Sequence, residues 1–331
     1  MSVSLVTGGA GFMGSHVAAL CLELGHDVVV LDDLSGGFRE NVPSRATFVE
    51  GSITDAALVN RLFDTYAFDF VYHLAAYAAE GLSHFIRSYN YSNNVLGSIN
   101  LINASVNANT VKRFVFTSSI AVYGPGQTPM LEEMVPTPED PYGIAKYGVE
   151  LDLKAAHEMF GLDYTIFRPH NVYGEHQNIG DRYRNVVGIF MNNVMQDKPL
   201  PVFGDGLQTR AFTHISDVAP TIAKCVMNAR ARNQVFNVGS ESPRTVLDVA
   251  RAVSASFGAQ LNVAHLPARK EVVHAFSSSA HADDVFGKQN TLSLEEGVGR
   301  MAQWAKKHGP RTTKTFTGIE VERNLPASWR S

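Results

Sequence analysis

Short apolar runs alternate with longer stretches of helical periodicity through the first half of the chain. Val3 to Thr7 is an apolar run of strand length, and a glycine-rich turn follows it. Phe12 to Leu24 places apolar residues at helical spacing and closes on Gly25. Asp27 to Leu31 predicts a buried strand that ends on Asp32. Thr47 to Val49, Phe70 to Leu74 and Arg113 to Thr117 predict further strands, separated by helical stretches at about 55–65 and 84–107. A helix is expected from Pro141 to about Phe160, and another strand from Tyr164 to Phe167. This rhythm predicts an α/β fold built on a parallel, doubly wound sheet.

Beyond about residue 170 the texture changes. Gly, Asn, Arg and Pro become frequent and the apolar segments shorten. Residues 199–206 predict a strand and turn, and Ser216 to Ala229 a helix begun by a serine cap. Thr245 to Phe257 and Ser293 to Lys307 predict two more helices. The expected organisation is therefore a first region, 1–170, and a smaller α/β region, 171–331, that binds substrate and returns some segments to the first. The stretch 309–331 has weak periodicity and is expected to be partly mobile.

Composition narrows the class. A chain of 331 residues that is 45% hydrophobic can bury a large core, and its length fits about two domains. The net charge of −4 is dispersed, which gives no basis for binding nucleic acid or an anionic membrane. Cys21 and Cys225 form no CxxC pair and predict buried, reduced thiols in a cytoplasmic protein. No charged leader is expected before the first strand, and no apolar run approaches the ~20 residues that span a bilayer. The histidines do not cluster at metal-binding spacing, and no metal is expected.

Gly8, Gly11 and Gly14 lie between a predicted strand and a predicted helix. Glycine permits the turn and lets backbone N–H groups approach phosphate oxygens at the helix N-terminus. The acid expected at the end of the next strand is present as Asp32. A carboxylate there accepts hydrogen bonds from the adenosine ribose and repels a 2′-phosphate, so NAD is favoured over NADP. The sheet is thus expected to be of Rossmann type. His73, at the end of another strand, fits a satisfied core histidine and a cofactor contact equally.

Tyr142 and Lys146 are spaced to share one face of a helix. A free phenol titrates near ~10. A nearby ammonium and a positive nicotinamide ring would both favour the phenolate. Such a tyrosine takes a proton from a substrate hydroxyl as hydride leaves the same carbon. Of the hydroxyl run Thr117, Ser118 and Ser119, the third is the expected partner of the substrate oxygen, and the other two are expected to cap or pack.

Several motifs in one order carry a resemblance: TGGAGFMG, LDDLSGG at 31–37, HLAA at 73–76, NNVLG at 93–97, TSSIAVYG at 117–124, PYGIAK at 141–146, RPHNVYG at 168–174 and GDGLQTRAF at 204–212. The chain resembles the extended short-chain dehydrogenase/reductases, and within them the NAD-dependent nucleotide-sugar epimerases of the UDP-glucose 4-epimerase type. The resemblance implies tightly bound NAD, a UDP-sugar substrate and a homodimer formed by the helices near 84–107 and 141–160. It implies cofactor contacts from Gly8, Gly11, Phe12, Met13, Gly14, Asp32, Asp33, Ser35, Gly36, Ser52, Ile53, Leu74, Ala75, Ala76, Asn94, Tyr142, Lys146 and Pro169. Substrate contacts are implied for Ala78, Ser119, Tyr142, Asn171, Asn185, Val186, Val202, Arg210 and Arg269, the two arginines on the diphosphate.

The implied chemistry is oxidation at C4 by NAD to a 4-keto sugar, reorientation, and return of hydride to the other face. Ser119, Tyr142 and Lys146 would be the catalytic residues. Related dehydratases carry Asp-Glu just after the serine, whereas this chain carries Ile120 and Ala121, which neither give nor take a proton. UDP-glucose and UDP-galactose are the expected substrates; a UDP-glucuronate or UDP-N-acetylglucosamine 4-epimerase and a 4-keto reductase are the alternatives. Ser52 and Ala211 stand where aspartates are usual, so the adenine contacts and the support of Arg210 depart from the pattern. His170, near Arg182 and Arg184, is expected either to meet an acidic sugar or to pack. A small Ala275 near the sugar would leave room for a 2-acetamido group.

Overall fold

In the computed structural model of the chain, residues 1–126, 128–268, 272–288, 291–312 and 316–330 are described. Seven parallel strands form the central sheet. Six come from the first half: β1 (Val3–Thr7), β2 (Asp27–Asp32), β3 (Thr47–Glu50), β4 (Phe70–His73), β5 (Arg113–Thr117) and β6 (Tyr164–Pro169). Their spatial order is β3-β2-β1-β4-β5-β6, and the seventh strand, Gln234–Val238, pairs with β6. The order reverses between β1 and β4, where an open α/β sheet leaves a crevice beyond the strand ends.

Helices cover both faces because both faces of a parallel sheet are apolar. On one side α1 (Phe12–Glu23) packs with the short helix Ala219–Lys224 over Val6, Val30, Tyr72 and Phe167. On the other side α2 (Ala56–Thr65) buries Val59 and Leu62 against Leu5, Val71 and Phe114. The 84–107 stretch departs from the single helix expected. It is divided into α4 (Arg87–Tyr91), a π-helical turn at Ser92–Leu96 and α5 (Gly97–Ala108), and a separate short α3 (Glu80–Ser83) precedes it. The wide turn carries Asn94 inward, where its side chain accepts from Tyr77 N at 2.9 Å and donates to Tyr77 O at 3.2 Å. The long α6 (Pro141–Phe160) is sharply bounded: Asp140 caps it by accepting from Gly143 N at 2.9 Å, and Gly161 ends it at φ 75°.

In the second region, α7 (Val186–Val194) joins helices Val246–Phe257 and Leu294–His308 around Phe190, Met191, Val249 and Met301. Thr245 and Ser293 open the latter two with reciprocal capping boxes. The helix expected at Ser216–Ala229 is present but shorter, and no serine caps it. The segment starts as a 3₁₀ turn at Ile215–Asp217, and the helix runs only Ala219–Lys224. Pro220, which lacks an N–H, belongs in a first turn and sets the start there.

The tail expected to be partly mobile is docked over its described residues 316–330. Leu325 and Trp329 are buried against Tyr77, Leu82 and Ile86, and the Glu320 carboxylate accepts from Ser88 N and Tyr89 N at 2.8 and 2.9 Å. Among the described residues no helix is long and apolar enough to cross a membrane. Cys21 and Cys225 are free and buried, and burial pushes the Cys21 thiol up to about 12.

A buried polar chain ties α6 to the sheet. The Glu150 carboxylate accepts from Ser118 Oγ at 2.6 Å and from Arg168 Nε at 2.9 Å. Arg168 Nη1 donates to Tyr123 Oη at 2.7 Å, and that hydroxyl donates to Asn237 Oδ1 at 2.8 Å. Removing one partner of such a pair strands the other charge out of water. Glu150→Gln should therefore lower the unfolding free energy by roughly 3–5 kcal/mol, whereas the apolar double variant Glu150→Leu/Arg168→Met recovers most of the loss. Chemical denaturation checks this, and equal losses in single and double variants would contradict it.

Candidate active site

The strand ends, the loops after them and the second region enclose a cleft of about 510 Å³. At one end lies the glycine turn. A Cβ on Gly14 would stand 2.1 Å from Gly8 O, and Gly8 itself sits at φ 72°, so neither position accepts a side chain without moving backbone. The resulting cradle exposes the start of α1 to the cleft through Gly11, Phe12, Met13 and Gly14. Asp32 ends β2 beside it, with its carboxylate accepting from Ala10 N at 3.0 Å and Leu34 N at 2.8 Å. Burial pushes the Asp32 carboxyl up, and the backbone N–H groups of Leu34 and Ala10 oppose that shift. Asp33, Ser35, Gly36, Ser52, Ile53, Leu74, Ala75, Ala76 and Pro169 line the same cleft. A bare helix N-terminus beside a ribose-height acid fits the diphosphate and adenosine of a dinucleotide.

At the other end Tyr142 and Lys146 enter from the first two turns of α6. Lys146 is 3% exposed and its Nζ donates to Thr117 O at 2.8 Å. The ammonium stands 4.7 Å from the Phe116 ring centre and 5.8 Å from that of Tyr142. Burial lowers it to about 7, against the upward pull of Glu150 one turn along. Burial also raises the Tyr142 phenol, opposed first by its hydrogen bond with Ser119, while Asp140 and Glu80 push it further up and Arg184 pulls it down. Burial dominates both groups in the protein alone, which leaves the second expected positive charge, that of the nicotinamide ring, to favour the phenolate. Ser119 starts a 3₁₀ turn and accepts from Ala121 N at 3.1 Å. Ser118 is committed to Glu150 and plays a packing part.

Ala78, Asn171, Asn185, Val186 and Arg210 also line the cleft. Asn185 has φ 22°, and its side chain accepts from Val187 N at 3.1 Å and donates to Val172 O. Arg210 is held in the absence of the usual aspartate by the carbonyls of Thr209 and Val273, at 2.8 and 2.9 Å, and of Val272.

Two expected contacts fall elsewhere. Val202 is in the core, and its neighbours Pro201 and Phe203 reach the cleft instead. Asn94 is buried on the Tyr77 backbone, and Asn93 lines the cleft in its place. Arg269 lies outside the described residues. His73 is a core histidine between Thr7 Oγ1 and Ser98 Oγ, each at 2.8 Å. His170 is fully buried with Nδ1 2.8 Å from Ser277 Oγ, and packs rather than facing the cleft. Among the described residues no group of His, Cys, Asp and Glu could hold a metal ion. Glu80 and His84 line the cleft without having been expected there, and Arg184, expected only as a neighbour of His170, lines it too. The only signal for Glu80 was a charge two residues beyond Ala78.

A parallel sheet with this glycine cradle, and a serine–tyrosine–lysine set at the far end of the same cleft, defines a dinucleotide-dependent redox site of the short-chain dehydrogenase/reductase type. The family model described as the NAD dependent epimerase/dehydratase family matches residues 4–239, and the chain belongs to that family. A putative UDP-glucose 4-epimerase of Methanocaldococcus jannaschii is 31% identical over 306 residues, covering 92% of this chain and 98% of that one. The solved UDP-glucose 4-epimerase of Thermotoga maritima, with UDP-glucose, superimposes with a TM-score of 0.88 at 33% identity, over 93% of this chain and 99% of its own. That of Thermus thermophilus, in complex with NAD, gives 0.87 at 28% identity, over 92% and 99%. The protein is an enzyme of the isomerase class, an epimerase, and its cofactor is NAD.

The lowered Lys146 gives a sign to stability against pH. Between about 7 and 10.5 the unfolded chain holds a proton on Lys146 that the folded chain has shed. The stability of cofactor-free protein relative to a Lys146→Met variant should therefore rise with pH across that window. Urea midpoints measured for both at several pH values check it, and a relative decline with pH would contradict it.

Proposed function

We propose that the enzyme is a UDP-hexose 4-epimerase acting on UDP-glucose and UDP-galactose, with NAD held through the catalytic cycle. The observation that carries this reading is that Ser119, Tyr142 and Lys146 line one end of the cleft together with apolar Ile120 and Ala121. That arrangement suits proton exchange at one sugar oxygen. The named relatives add support, since two solved neighbours and an archaeal relative carry the same activity in their names.

Bound NAD supplies the hydride acceptor for C4 and the positive charge of its oxidised ring. Tyr142 takes the proton from the 4-hydroxyl and returns it after the sugar has turned. Ser119 orients that oxygen through its hydroxyl. Lys146 is anchored on Thr117 O and fixes the positive charge of this end of the cleft. Asn171, Asn185, Val186 and Arg210 line the cleft and are assigned to the nucleotide part of the substrate, since a guanidinium fork suits phosphate oxygens.

A 2-acetamido sugar is the second reading, because Ala275 is small and lines the cleft. Self-association is part of the proposal. Leu96, Ile144, Leu151, Met159 and Phe160 are exposed along α6 and the π-helical turn before α5, an apolar surface that a second copy would cover.

A panel of UDP-sugars incubated with purified protein and no added NAD tests the reading. Interconversion of UDP-glucose and UDP-galactose is expected, and conversion of UDP-glucuronate alone would overturn it. Tyr142→Phe should retain the cofactor and lose about 10²–10⁴-fold in kcat.

A further inference from the structure

Arg184 is delivered to the cofactor end of the cleft from the second region. Its Nη2 lies 2.6 Å from where a Cβ on Gly36 would stand, in the loop that follows β2. Gly36 is not at positive φ, so its lack of a side chain makes room for the guanidinium rather than for a turn. Two contacts hold the approach. Nε donates to Asp181 Oδ2 at 2.8 Å, and the other oxygen of that carboxylate accepts from Tyr183 N at 2.9 Å. The guanidinium carbon sits 4.5 Å from the Tyr77 ring centre. The side chain is 22% exposed, yet neither Nη has a hydrogen-bond acceptor among the described residues.

A guanidinium fixed at its base, stacked on a ring and left with its outer donors free is pre-organised for a bidentate anion. It faces Gly36 of the ribose loop, and Ser35, Asp33 and the bare start of α1 line the same cleft. We propose that Arg184 clamps the diphosphate of bound NAD, so that a residue of the second region locks the cofactor into the first. The assignment rests on the NAD-binding reading of the cleft. It makes Arg184 a cofactor-retention residue, distinct from the cations that face the UDP-sugar.

The test measures NAD and UDP affinities separately by calorimetry on cofactor-stripped protein. Arg184→Met should weaken NAD binding about 10- to 100-fold, the range of one charge-assisted contact, and leave UDP binding unchanged. Arg184→Lys should recover part of the loss. Gly36→Ala, which displaces the guanidinium without removing it, should weaken NAD in the same direction and serves if Arg184→Met does not fold. Unchanged NAD affinity in Arg184→Met, or a loss of UDP affinity as large as the loss for NAD, would overturn the assignment. Wild-type protein that binds no NAD would instead overturn the reading of the cleft itself.

Discussion

An ammonium taken out of water has to be placed against a carbonyl, a ring face or a carboxylate, and Lys146 is placed against all three. Thr117 O of β5 accepts its hydrogen bond, Phe116 lies beneath it, and Glu150 stands one helical turn behind. Each of these supports makes a demand on the rest of the fold. Glu150 is itself buried and must be paired, so β6 supplies Arg168. Arg168 turns its Nη1 to Tyr123, which passes the chain on to Asn237 of the seventh strand. The buried polar chain thus ties α6, β6 and the seventh strand together behind the active site.

The same burial explains why the protein alone does not make its tyrosine a base. A dry site raises a phenol as firmly as it lowers an ammonium, and Ser119 and Arg184 offset only part of that rise. Reactivity belongs to the site with its cofactor, so the cofactor must stay. The second region contributes to holding it. Arg184 reaches Gly36, and Tyr77 beneath it is fixed by Asn94 and by Phe316 of the docked tail. The tail also joins the two walls of this end, since Trp329 packs on both Phe85 and Tyr183.

What was legible in the sequence was what a few neighbouring residues decide. The glycine turn, Asp32 at a strand end, the Tyr142–Lys146 spacing and the capping residues Thr245 and Ser293 are local geometry, and local pattern reveals them. The break in the 84–107 stretch was not legible, because it follows from Asn94 being drawn inward to the Tyr77 backbone. The serine cap expected at Ser216 was a plausible local signal that Pro220, a few residues on, overrode. His73 and His170 could not be assigned from sequence, since their partners Thr7, Ser98 and Ser277 come from distant elements. The Glu150–Arg168 pair was not legible, because only the packing of α6 on β6 brings the two charges together.

The central claim is that hydrogen leaves C4 and returns to C4 inside one closed site, with Tyr142 handling only the proton. UDP-glucose deuterated at C4, incubated with the holoenzyme in ordinary water without free NAD, tests it directly by NMR or mass spectrometry of the products. The account predicts UDP-galactose that keeps its deuterium at C4. UDP-galactose whose label has been lost to solvent would contradict it.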